Sequence, residues 1–416
     1  MANLFWGGCD TVSLAREFGT PLYVMDEAEM RSRCRRLMGA VEGRNARVCY
    51  AGKAFMNKAA ARLVAEEGLG LDAVSEGELY IARAADFPME RVTLHGNAKT
   101  EEFLRMGLDY GVGTVVVDSE DELERLERLC AEKGKRCKIL IRVSPGIDAH
   151  THKKIQTAQN DCKFGVPMAH LERAAEKAIA SEYIDLAGLH VHVGSQLHDT
   201  EAHMAAVERM TEITARLKEK LGFTARELDL GGGFGIPFLP GEPSVAAEDL
   251  ISDILDGIDE RCAALGLLRP EVIFEPGRWI VGEAGITLYT VQSVKEIPGV
   301  RTYVAVDGGM TDNPRPQLYQ AEYVVRLANG TERPVTGRAA IAGPCCESGD
   351  MLTEDTPVPE LRVGDVLAVP LTGAYNYSMF STYNCTRRPA VVFVKDGAAR
   401  LAVERQTFDD LLKGQR

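Results

Sequence analysis

Lys53 stands in "VCYAGKAFMNK" between Gly52 and Ala54, with no bulky neighbour to cover it. An amine at the seam between an apolar run and a helix start can condense with a carbonyl to form a Schiff base. In "LDLGGGFG", Gly231, Gly232 and Gly233 let backbone N–H groups approach a phosphate closely, as in an anion-binding nest. The run is no dinucleotide fingerprint, because Ile236 stands where the last glycine would be, and no Gly-Lys-Ser follows to make a nucleotide P-loop. A tight turn in a crowded rim is the competing reading of the glycines. Arg278 in "FEPGR" supplies a cation for the same phosphate. Glu275 closes the apolar run before it, where a carboxylate paired with a buried arginine is the alternative. His190 and His192 in "HVHVGS" share one face of a strand, a spacing that suits a metal pair, yet His95 is the only other histidine near such a strand end. A ring lying flat on a cofactor and a core histidine are the other two readings.

These residues need a scaffold that gathers them. Asp26 followed by Glu29 resembles a capping box and opens a helix, "EAEMRSRCRRLMGAV". From there one unit recurs: an apolar run of strand length, a polar or glycine end, then an amphipathic stretch. The strand candidates are "RVCYAGK", "GLDAVS", "RVTLHGN", "GTVVVDS", "KILIRVSP", "AGLHVHVGS", "ELDLGGGFG" and "EVIFEPGR". Eight β-α units over ~250 residues predict a (β/α)8 TIM-like barrel across residues 26–286. Barrel chemistry sits at the C-terminal ends of strands. Lys53 follows the first, Asp72 lies in the second, His192 and Ser195 end the sixth, the glycines end the seventh, and Glu275 to Arg278 end the eighth. After residue 286 short β-rich runs take over, from "TLYTVQSVKEI" through "QAEYVVRLA" to "RLAVERQ", closed by a short helix "FDDLLKG". Residues 287–416 are therefore read as an all-β domain, a sandwich or barrel, with residues 1–25 and their strand-like "TPLYVM" joined to it.

Composition narrows the classes. A 416-residue chain with 45% hydrophobic and 26% charged residues has material for two large cores. A formal charge of −13 argues against nucleic acid or an anionic membrane as the main partner. No run approaches a membrane span and the first residues do not form a signal peptide. Ten cysteines without a C-x-x-C point to reduced thiols in a cytoplasm.

A lysine, a phosphate cradle, a carboxylate and an imidazole on one rim match one cofactor, pyridoxal 5′-phosphate, with no metal. In order, "YAGKA", "HVHVGSQ", "GGGFG", "EPGR", "CCESGDML" and "GAYNYSM" resemble the fold type III pyridoxal-phosphate-dependent decarboxylases. "DNPRPQLYQAEY" and "NDCKFGV" narrow the resemblance to the branch that decarboxylates meso-diaminopimelate to lysine, and it covers essentially the whole chain. Phe55, where many relatives have Asn, and "CTRRP" from Cys385 to Pro389 are the departures.

The resemblance implies roles. Lys53 would carry the cofactor as a Schiff base, and Glu275 would face the ring nitrogen, where barrel racemases place an arginine. Asp72 would belong to the same cofactor site and His192 would stack on the ring. Ser195, Gly231, Gly232, Gly233, Gly277, Arg278 and Tyr375 would surround the phosphate. Cys346 would protonate the substrate carbon after carbon dioxide leaves, whereas Cys345 fits a buried inert thiol. Glu347 would meet the distal ammonium of the substrate, and Arg278, Arg315 and Tyr319 its distal carboxylate, with Tyr375 nearby. Cys346 and Glu347 would come from the second chain of a homodimer, so that each site draws on both chains. A sibling decarboxylase acting on lysine, ornithine or arginine would share Lys53, Glu275 and Cys346 but would find Arg315 an unfavourable neighbour. A non-enzymatic carrier of the cofactor would need neither Cys346 nor the β domain. A metal-dependent barrel hydrolase is the third alternative.

Overall fold

The computed structural model describes residues 2–145, 162–237, 239, 242 and 245–416; Asn160 and Asp161, which open "NDCKFGV", lie outside the described residues. The chain divides into two units. One comprises Arg33–Ile236 and Ser244–Trp279; the other comprises Met1–Ser32, Pro237–Pro243 and Ile280–Arg416.

The first unit is a closed parallel barrel. Its strands are β1 (Ala46–Ala51), β2 (Gly70–Ala73), β3 (Val92–Leu94), β4 (Thr114–Val117), β5 (Cys137–Ser144), β6 (Ile184–His190), β7 (Glu227–Asp229) and β8 (Glu271–Phe274). Each pairs in parallel with the next, and β8 pairs with β1 to close the ring. Strands covered on both faces read as unbroken apolar runs, and Val115 to Val117 and Ile139 to Ile141 are buried throughout. The helices after β1 to β4 start at side-chain caps: Asn57, Ser75, Thr100 and Ser119 each accept a hydrogen bond from a backbone N–H of the first turn. Such caps shorten the strand-to-helix loops and so fix the strand ends that carry the polar residues. At the opposite end of the strands, Arg47 pairs with Glu227 at 2.9 Å and with Glu271, and Lys138 reaches Glu227 at 2.6 Å.

The second unit is mostly sheet. Its longest strand, Gly285–Ile297, pairs antiparallel with Leu22–Asp26, Val366–Pro370 and Arg301–Val306. Leu22–Asp26 in turn runs parallel to Ala390–Lys395, so "TPLYVM" lies inside this sheet. Two apolar clusters fill it, one around Tyr289, Val304, Ile341 and Val369, the other around Leu22, Val24, Leu288 and Val392. The reading of "QAEYVVRLA" as a strand needs correction: only Arg326–Leu327 pair. Tyr323, Val325 and Leu327 do alternate into the core, which produces the strand-like pattern although only Leu327 of the three has a ladder partner. Met351–Pro359, an edge strand against Val335–Ala342, was not anticipated, because "MLTEDTPVP" has the acids and prolines of a loop. An edge strand tolerates them because one of its sides needs no hydrogen bonds.

Candidate active site

The C-terminal ends of the barrel strands enclose a cavity of about 420 Å³. Lys53 enters it from the single 3-10 turn Gly52–Ala54 that follows β1. Gly52 is required there, since a Cβ would lie 2.9 Å from the Asp72 carbonyl oxygen. Lys53 is exposed and makes no hydrogen bond or ion pair among the described residues. A structural lysine would have found a carboxylate, as Lys99 does with Glu122 at 2.7 Å. Phe55 is buried, with its carbonyl accepting from the Tyr50 hydroxyl, and does not line the cavity, so this departure leaves the pocket's polarity untouched.

Around Lys53 the barrel gathers Asp72, His95, Arg142, His190, His192 and Glu275. His95 Nε2 lies 3.0 Å from Glu275 Oε1 and 3.5 Å from Asp72 Oδ1, while His190 Nε2 lies 3.2 Å from the same Glu275 oxygen. Burial alone would drive Glu275 towards its neutral form; His95 above all outweighs it and holds the carboxyl well below the usual range. His95 is pushed up to about 9 because Glu275 and Asp72 overcome its own burial. His190 is lowered to about 4 by burial, and Asp72 is raised to about 6 by burial and by Glu275. His192 is half-buried, and burial and then the Lys53 ammonium hold it well below the usual imidazole range. Its Nδ1 accepts from the Gly232 amide at 3.4 Å, which leaves the proton of the neutral ring on Nε2. His190 joins His95 and Glu275, and His192 stands apart beside the glycines. At 3.0 and 3.2 Å, both imidazole nitrogens lie within ion-pair distance of the Glu275 carboxylate.

The glycine run is forced by contact. Gly231 and Gly233 adopt φ of +69° and +96°, and a Cβ on Gly231 would lie 2.6 Å from His192 Nδ1. A Cβ on Gly232 would collide with the Glu275 carbonyl oxygen. Two of the three amides are already engaged, Gly231 with Asp229 Oδ1 at 2.9 Å and Gly232 with His192, so Gly233 is the one whose N–H has no acceptor among the described residues. Gly277 packs against the methyl groups of Ala51 and Ala54, Arg278 begins a one-turn helix beside it, and Ser195 is exposed past the end of β6.

The remaining anticipated residues belong to the second unit. Arg315 is buried at the start of the short helix Arg315–Tyr319, its guanidinium 5.3 Å from the Tyr319 ring and 6.0 Å from the Tyr375 ring. Tyr375 has φ of +62°. Cys346 and Glu347 are exposed, with the Cys346 amide donating to Asn384 Oδ1 at 2.8 Å. Cys345 differs: burial and Asp350 push its thiol up to about 12. Cys385 is exposed in a short 3-10 turn.

Three polar residues of the barrel, buried His95 and Asp229 and half-buried Arg142, were missed as site components. Arg142 faces the cavity with its guanidinium 4.2 Å from the Phe164 ring, and its signal was a charge inside the apolar run "KILIRVSP". Asp229, in "LDLGGG", is held well above the usual carboxylate range by burial and by Glu275. His95 entered only as a possible metal partner. A polar residue inside an apolar strand marks Arg142 and Asp229, and one directly after such a strand marks His95.

Residues 27–282 match the pyridoxal-binding domain of the pyridoxal-dependent decarboxylases. Diaminopimelate decarboxylase of Bacillus subtilis (strain 168) is 47% identical over 411 residues, 98% of this chain and 94% of that protein. The crystal structure of diaminopimelate decarboxylase from M. jannaschii in complex with L-lysine superposes with a TM-score of 0.90 at 33% identity, covering 100% of this chain and 96% of the other. The enzyme from Helicobacter pylori, also complexed with L-lysine, gives 0.87 at 31% identity, covering 96% and 98%.

Proposed function

We propose a division of labour among these residues from one premise: this chain belongs to the diaminopimelate decarboxylases, pyridoxal-dependent enzymes that remove a carboxylate from meso-diaminopimelate to give L-lysine. Pyridoxal phosphate, when bound, supplies an electron sink for the carbon that loses carbon dioxide. The residues fit that group: an unpaired amine and an anionic carboxylate share one cavity, and a cradle where no Cβ has room lies against His192, which lines it.

In this reading Lys53 Nζ would hold the cofactor covalently. Glu275 would be the partner of the ring nitrogen and favour a proton there. His192, neutral and carrying its proton on Nε2, would hold the ring, with Asp72 beside Lys53. The Gly233 amide, the flanking Gly231 and Gly232, Ser195, Gly277, Arg278 and Tyr375 surround the phosphate. Arg315, with Arg278 and Tyr319, binds the distal carboxylate; Glu347 meets the distal ammonium. Cys346 Sγ delivers the proton to the carbon left after decarboxylation. The barrel cavity holds no thiol of its own among the described residues, which supports a donor from the second unit, and a homodimer with shared sites meets that need. No helix among the described residues is long and apolar enough to cross a membrane, and all ten cysteines are free, which fits a reducing cytoplasm.

The observation that carries the proposal is the bare Lys53 amine opposite an anionic Glu275. Borohydride reduction of the loaded enzyme followed by peptide mapping tests it. The label is expected on Lys53; a label on another lysine overturns the assignment.

A further inference from the structure

Two histidines from different strand ends converge on one oxygen of Glu275. His95, after β3, and His190, ending β6, approach Oε1 at 3.0 and 3.2 Å, and their rings meet edge to face at 5.1 Å. Both are almost fully buried, so water does not solvate that oxygen. We infer that His95 and His190 are positioning residues that clamp Oε1 of Glu275, keep the carboxylate anionic and leave its second oxygen for the cofactor's ring nitrogen. The inference rests on the reading of Glu275 as that nitrogen's partner.

The clamp answers a physical problem. Glu275 is buried among like charges, with Asp72 facing it from β2 and Asp229 from β7. A carboxyl in that setting takes up a proton, and a neutral acid cannot keep a ring nitrogen protonated. The other groups near it do not supply the missing cation at the carboxylate. Cys49 on β1 is buried with its thiol held well above its usual range, and His192 is neutral. Arg142 on β5 faces Phe164 and Asp118, and Lys53 is reserved for the cofactor. His95, pushed up to about 9, provides the positive charge. His190, lowered to about 4, is neutral and sets its Nε2 3.2 Å from the same oxygen. The two rings thus divide the work, one by charge and one by direction.

Glutamine replacements test the division, because the amide keeps a donor and loses the charge. His95→Gln should lower kcat about 10- to 100-fold, the usual cost of removing an outer partner of a reacting group, with KM for meso-diaminopimelate unchanged. Its acid limb should move to higher pH by roughly one unit or more, because Glu275 then takes up a proton more readily. The pH dependence of the bound cofactor's visible absorbance should move with it. Adding His95→Gln to Glu275→Gln should cost nothing further, since His95 acts through Glu275. Imidazole ¹⁵N spectra of the cofactor-free wild type at neutral pH should show one doubly protonated buried ring, lost in Glu275→Gln. Wild-type kcat in Glu275→Gln would defeat the reading of Glu275 and the clamp with it. A crippled Glu275→Gln beside an unaffected or fully additive His95→Gln, or two neutral rings in the spectra, would defeat the clamp alone.

Discussion

Lys53 is bare among the described residues, and the first expectation at the scale of single residues follows from its proposed role as the cofactor's anchor. Lys53→Ala should abolish turnover and leave no borohydride-stable cofactor on the chain; persistent covalent attachment would contradict the assignment. Arg315 is buried and braced by two tyrosine rings, so in its proposed role it would meet the distal carboxylate already aligned. Two charge-assisted hydrogen bonds are worth on the order of 2–4 kcal/mol. Arg315→Ala should therefore lower kcat/KM on meso-diaminopimelate by roughly 30- to 1,000-fold, and steady-state assays at saturating cofactor would measure it. His95 gives a prediction on stability. Its pKa in the folded chain, about 9, lies above the ordinary imidazole value, so the stability it adds is fully present below about pH 6.5 and is lost as pH rises through 9. The stability gap between cofactor-free wild type and His95→Gln, read by urea denaturation, should narrow between pH 6.5 and 9; a gap that widens would contradict a protonated His95. The strand-end positions of Lys53, Glu275 and His192 were legible in the sequence because each sits in a short motif of its own. The His95–Glu275–His190 cluster was not, because it joins β3, β6 and β8, and only closure of the barrel brings those ends within 3.2 Å.

At the scale of elements, strand ends were the most readable feature. All eight barrel strands end within the quoted runs, because the polar or glycine residue that stops each strand is also the one that faces the cavity or caps the next helix. The glycine run was read as a phosphate cradle on backbone freedom alone. Two of its three amides turn out to hold the cradle together, through Asp229 and His192, contacts that no local pattern reveals. Gly232→Ala puts a methyl group into the Glu275 carbonyl and so shifts the carboxylate as well. It should destabilise the barrel by about 1–3 kcal/mol, the usual cost of overpacking, and weaken cofactor binding. Thermal melts with and without the cofactor would show both, whereas a variant that melts and binds like wild type would mean the loop relaxes freely. In the second unit the sequence failed in both directions, at "QAEYVVRLA" and at Met351–Pro359. Alternating apolar residues report burial, and a ladder partner is a separate requirement that sequence pattern does not register.

At the scale of the whole molecule, the residues proposed to carry the chemistry fall in both units of the chain: Lys53 and Glu275 belong to the barrel, Cys346 and Arg315 to the sheet unit. A homodimer in which each barrel receives the partner's thiol is the assembly we propose. Lys53→Ala and Cys346→Ala dimers should each be nearly inactive. Mixing the two variants at equal amounts under conditions of demonstrated subunit exchange makes half the dimers hybrid. With shared sites, a hybrid carries both lesions in one pocket and none in the other, so activity should return to about one quarter of wild type. If Cys346 serves the Lys53 of its own chain, every pocket keeps a lesion, and exchange without any recovered decarboxylation would contradict the shared site.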